Sequence, residues 1–231
     1  MSSLPSQIQT EINRAILEQS RFANEIVVRD VPSQPSIIWH YTTAEGLLGI
    51  VKNQELFMSH ILCMNDTDEY RHGISHVIRA CGIRDDSGIS ASAKKLHKAL
   101  TAKLIGNINN TPDIFVSCFS GETDTHTHWL EYGRNGVGYA IGFDTARLLA
   151  VTDQYCAFHA CIYKDERKQQ IAVETLENAD SALDAIIAAH QGIQEDVIIE
   201  EFAQRFSAKS RSLLKFAKPS LLSESYAASA I

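Results

Sequence analysis

Between two short apolar runs, residues 114–120 and 138–144, the chain carries Glu122, Asp124, His126, His128, Trp129, Glu131 and Tyr132, its densest cluster of polar and aromatic side chains. Carboxylates can move protons or steady a developing positive charge, and aromatic rings can hold a flat or cationic ligand. Asp124 with His126-x-His128 could also bind a metal, as in a hydrolase or nuclease, although no second ligand cluster accompanies them. Gly133, Gly136 and Gly138 follow closely. They suit a backbone that must turn sharply or lie against a ligand, and equally a plain β-hairpin turn.

A second candidate is His40. Residues 37–41 read as a brief apolar strand, and Thr42 followed three positions later by Glu45 fits a capping box, so a helix should begin directly after the histidine. Unpaired N–H groups at a helix start attract anions, and His40 would stand beside them. The residues alone leave a structural and a functional histidine both open. His72 and His76, four apart on one helical face, have zinc-ligand spacing; neither a HExxH glutamate nor a third ligand is evident, so no metal is assigned to them. Cys118 lies inside an apolar run and reads as an inert buried thiol.

The surrounding pattern fits a soluble α+β protein. Of 231 residues, 45% are hydrophobic, and the formal net charge is −7 with lysines and arginines scattered, which argues against a general nucleic-acid binder. Five cysteines without paired spacing point to reduced thiols. No apolar run approaches the roughly 20 residues of a membrane span, and no signal pattern opens the chain, so a cytoplasmic location is expected.

Helices are expected over residues 7–27, from about 66 to 81, over 93–105, from 145 to 149, and over 169–190 and 194–215. Asp66 or Thr67 would cap the second and Thr145 the short one. Strands are expected at 37–41, 55–59, 114–120, 138–144 and 155–163. The prolines and polar residues of 31–36 set an N-terminal helix and linker, 1–36, apart from a single α+β domain at 37–231.

His40-Tyr41-Thr42 with Gly46-Leu47-Leu48-Gly49-Ile50, Met64-Asn65-Asp66 with Glu69, Cys118-Phe119-Ser120, Trp129 with Tyr132-Gly133, and residues 138–144 together resemble the bacterial and phage family called domain of unknown function 2971. The resemblance runs from about 37 to 218. That family is in turn similar to the ADP-ribosyltransferase-like superfamily, which implies a split, mostly antiparallel β-sheet flanked by helices; the helical spacing of residues 7–27, 169–190 and 194–215 adds a helical N-terminal arm and a helical C-terminal part.

The resemblance also implies NAD as substrate, cleavage of the nicotinamide–ribose bond and transfer of ADP-ribose to an unknown protein or nucleic-acid acceptor, in toxin or phage-defence biology; the lack of a long apolar run adds the expectation of no membrane partner. His40, Tyr132 and Glu224 would be the catalytic residues. His40, Tyr41, Thr42, Ser117, Phe119, Ser120, Trp129 and Tyr132 would bind the dinucleotide, with Tyr132 or Trp129 stacked on nicotinamide. Bond cleavage builds an oxocarbenium-like centre that wants a carboxylate beside it.

The family's closing glutamates and arginine are here reduced to Glu224 before a charge-free Ala-Ser tail, so the last core strand looks truncated or degenerate after about 218. Glu122, Asp124 and Glu131 are fallback carboxylates. A catalytically degenerate binding or sensor module of the same fold is the alternative that this ending suggests.

Overall fold

A computed structural model describes residues 4–30, 35–60, 63, 69–85, 88–106, 115–152, 157–213 and 225–230. In chain order the elements are α1 (Ser6–Asp30), β1 (Ile37–Thr42), α2 (Ala44–Asn53), β2 (Ser59–His60), α3 (Glu69–Asp85), α4 (Ala91–Gly106), β3 (Phe115–Ser120), α5 (His126–Glu131), β4 (Tyr139–Asp144), α6 (Thr145–Thr152), β5 (Ala157–Ala160), α7 (Asp165–Ala189), α8 (Glu195–Leu213) and β6 (Ser225–Ala230). The architecture is α+β, with more helix than strand. Two compact units share the chain, each assembled from separate stretches: Met1–Val27, Asp68–Thr111 and Lys164–Ser220 form a helical unit, and the remainder a sheet unit. Among the described residues no helix is long and apolar enough to cross a membrane.

The helical unit follows from periodicity. Ile8, Ile12, Ala15 and Ile16 in α1, Leu96, Leu100 and Leu104 in α4, and Ala172, Leu176, Ala179, Leu183 and Ile186 in α7 recur three or four apart and are all buried. Such a stripe faces the interior of a helical bundle, each large side chain contributing about 1.5–3 kcal/mol by leaving water. α4 packs on α8 and α3 on α7. At the edge of this apolar interior lies a paired charge network. His97, its side chain fully buried, places Nε2 2.8 Å from Asp180 and Nδ1 2.9 Å from Asp85, while Arg84 donates to Asp180 at 2.9 Å. Burial penalises the His97 cation, but the facing Asp180 and Asp85 carboxylates outweigh this and raise its pKa.

The sheet unit is ordered β4-β1-β3-β6-β5, all antiparallel, with β2 pairing β3 off this path. The runs at 115–120 and 139–144 are therefore not a hairpin: β1 lies between them, and α5 occupies part of the connection. Apolar periodicity identified both strands but carries no information on which strand is the neighbour.

Local details also shift. The expected strand at 55–59 is instead the two-residue β2, and the strand expected at 155–163 is the shorter β5. Thr43, not Thr42, caps α2, its hydroxyl accepting from Gly46 N at 3.1 Å, because Thr42 is still paired with Tyr139 in the sheet. Asp144 rather than Thr145 caps α6 by accepting from Arg147 N, and the Thr145 hydroxyl turns back to the Pro35 carbonyl. Residues 225–230 form β6, a central strand between β3 and β5, since a strand is held by backbone pairing whatever its side chains. Met64, Asn65, Asp66 and Thr67 lie outside the described residues, as does Glu224.

Candidate functional site

The site begins with a division in the sheet. β6 pairs with β3 along its whole length, Phe115 to Ser120, which fills one edge of that strand. A strand has only two edges, so β1 and β2 must share the other. They do so at its two ends: β1 meets β3 at Trp39↔Ser120, and β2 at Ser59↔Val116 and His60↔Phe115. Residues 117–119 lie between the two junctions.

His40 projects into that interval. Its Nδ1 lies 3.1 Å from the carbonyl oxygen of Cys118. A carbonyl only accepts, so Nδ1 carries the proton and Nε2 of the neutral ring is left as an acceptor. Burial lowers the His40 pKa, with the Cys118 carbonyl opposing, so the ring is neutral at pH 7. The His40 ring also leans on Phe119, with centroids 5.7 Å apart.

Strand alternation sorts the remaining candidates. His40 shares its face with Thr42 of β1, and across the division with Ser117 and Phe119 of β3. Ile38 and Phe119 are the buried centre of this face, with Leu56, Met58, Phe143 and Leu148 packed around them. Ser117 is 4% exposed, and its hydroxyl finds no hydrogen-bond partner among the described residues. A buried hydroxyl left so costs about 1–3 kcal/mol, which a bound ligand or water would recover.

Tyr41 and Ser120 project from the opposite face. Tyr41 stacks on His128 at 5.3 Å and meets the edge of Trp129 at 5.0 Å, while Tyr132 stands 6.1 Å from His128. Ser120 Oγ folds back on the Glu122 backbone. The eight binding candidates thus separate into His40, Thr42, Ser117 and Phe119 on one side, and Tyr41, Ser120, Trp129 and Tyr132 on the other. The buried Tyr41 hydroxyl, too, has no partner among the described residues.

Several polar groups of the cluster at 122–132 bond one another. Asp124, in a left-handed conformation at φ 61°, accepts from Trp129 Nε1 at 2.8 Å, and His128 Nδ1 bonds the Thr125 hydroxyl. Among the described residues Asp124, His126 and His128 do not converge at ligand distance. Glu122 and Glu131 are exposed. Arg134, Asn135 and Gly136 all have positive φ, and Gly138 N closes the turn on the Gly133 carbonyl at 2.8 Å. Glycine is required at 138 because a Cβ there would sit 2.6 Å from the Thr42 carbonyl oxygen.

The sequence drew attention to Cys118 for its thiol, whereas the atom that positions His40 is its carbonyl oxygen. No side-chain pattern signals that. Among the described residues Cys63, Cys81, Cys118 and Cys161 form no disulfide, and burial pushes the Cys81 thiol up to about 12.

No curated protein and no solved structure matches the chain. Residues 128–211, from α5 into α8, match the family model described as a protein of unknown function, DUF2971, a narrower span than the five motifs suggest.

Proposed function

We propose that the sheet unit is an ADP-ribosyltransferase-like module that binds NAD at the division between β1 and β3, cleaves the nicotinamide–ribose bond and passes ADP-ribose to a protein or nucleic-acid acceptor. The observation that carries this reading is the position of His40: a neutral imidazole, oriented by the Cys118 carbonyl, at the point where β1 leaves β3. Its Nε2 would accept from a ribose hydroxyl. The Ser117 hydroxyl, which has no partner among the described residues and lies on the same face, would serve a second polar group of the ligand. Thr42 ends β1 at the start of α2, where the positive end of the helix dipole favours the negative pyrophosphate. The carboxylate that this chemistry wants is assigned by resemblance to Glu224.

Calorimetric titration of NAD into the full chain, followed by an assay for released nicotinamide, tests the reading. Binding and release that are both lost in His40→Ala support it. Absence of NAD binding by the unaltered chain overturns it.

A further inference from the structure

In the helical unit, α3 and α7 bring three metal-competent groups together. His72 and His76 lie one turn apart on α3, and Asp165 opens α7, far along the sequence. His72 Nε2 is 3.2 Å from His76 Nε2 and 3.2 Å from Asp165 Oδ1, and His76 Nε2 is 3.9 Å from the same oxygen. Around an ion bound at 2.0–2.1 Å, tetrahedral ligand atoms stand about 3.3 Å apart. The three atoms are therefore spaced as ligands before any ion arrives.

The surrounding hydrogen bonds prepare the same arrangement. His76 Nδ1 lies 3.3 Å from Gln169 Oε1, and Gln169 Nε2 donates to the His76 carbonyl at 3.2 Å. The amide oxygen accepts, so Nδ1 holds the proton and the Nε2 lone pair points at the cluster, the outer-shell device by which ligand histidines are fixed. His76 is buried at 1% exposure, and Asp165 is half-exposed, which gives an ion a way in. A cation already marks the place: the buried Lys168 ammonium stands 2.9 Å from Asp165 Oδ1 and 3.4 Å from His72 Nε2.

We infer that His72, His76 and Asp165 form a binding site for a divalent transition ion of the zinc type, which displaces the Lys168 ammonium and clamps α3 to α7. Two imidazoles and a carboxylate suit zinc and its neighbours better than calcium or magnesium, and three protein ligands leave a position for water or a substrate atom.

The test is titration of Co2+ into the full chain, read by visible absorption and by calorimetry. The expected result is one ion per chain with the intense bands of a tetrahedral complex. Asp165→Asn and His76→Gln should each lose that spectrum, Gln169→Leu should weaken binding by about 10–100-fold, and Lys168→Met should strengthen it. Asp165→Asn alters a half-exposed carboxylate without changing its shape, so it tests the site even should His76→Gln not fold. Absence of Co2+ binding by both the unaltered chain and Lys168→Met overturns the inference, as does binding that Asp165→Asn leaves unchanged.

Discussion

His40 donates through Nδ1 to the carbonyl oxygen of Cys118, one strand away, beside the single register pair Trp39↔Ser120 that joins β1 to β3. Ring orientation and tautomer are thereby set together, and burial keeps the ring neutral. Because burial holds its pKa below 6.5, the acceptor at Nε2 survives to below that pH and then becomes a donor. NAD affinity measured by calorimetry should therefore be flat from pH 8 to 6.5 and fall at lower pH. His40→Asn, which offers no acceptor in the same place, should bind weakly at every pH. Affinity that rises on acidification would contradict the assigned tautomer.

His97 makes the opposite prediction for stability. Its folded pKa is raised above 6.5 by Asp180 and Asp85, so the native state holds a proton that the unfolded chain releases. This stabilisation is complete below 6.5 and is lost as pH rises through the folded value. His40 and His76, whose pKa values burial lowers, act in the other sense, so the informative quantity is a difference. The melting temperature of the unaltered chain minus that of His97→Gln should shrink as pH rises from 6.5. Parallel profiles would show that the network does not hold the proton.

Leu176 and Leu48 are both leucines on helices, 1% and 70% exposed. Leu176→Ala should cost about 2–5 kcal/mol in denaturant unfolding, the transfer of the side chain plus the cavity left behind. Leu48→Ala should stay within about 0.5 kcal/mol. Equal costs would mean that the α7 stripe is not the interior of the helical unit.

Two glycines separate backbone need from helix weakness. A Cβ at Gly138 would meet the Thr42 and Gly133 backbones, which do not yield, so Gly138→Ala should destabilise the sheet unit by about 1–3 kcal/mol. Gly49, inside α2, has nothing within 4 Å, and Gly49→Ala should stabilise by up to about 1 kcal/mol. Thermal melts of the two variants against the unaltered chain check both signs.

What the sequence made legible is what local pattern encodes. The apolar stripes of α1, α7 and α8 place those helices to within a few residues, and β3 and β4 stand out as β-branched and aromatic runs. Pairing does not show in this way. That β1 lies between β3 and β4, or that Asp165 meets His72 and His76, depends on contacts between distant segments. The same limit explains the candidate site: adjacent strand residues His40 and Tyr41 read as one motif along the chain, yet alternation sends them to opposite faces.

A tail of small, uncharged residues gives no apolar signal, so the pairing of β6 with β3 and β5 was not readable beforehand. Pairing on both sides also makes β6 sensitive to loss of an N–H. Ala228→Pro should disrupt the sheet, seen as lost strand signal in circular dichroism, because proline is tolerated only at edges and bulges. An unaltered spectrum and melt would place β6 at an edge instead.

The interleaving of the two units bears on how the chain reaches its native state. Val28–Thr67 and Pro112–Tyr163 both leave the helical segments and come back to them. Once the helices gather, each excursion becomes a closed loop whose strands search a smaller volume than a free tail would. Closure cost grows slowly, about 0.6 kcal/mol per doubling of length, so insertions within the excursions are inexpensive. Cutting one, by contrast, releases strands that had been tethered at both ends, and turns a local search into an encounter between free chains.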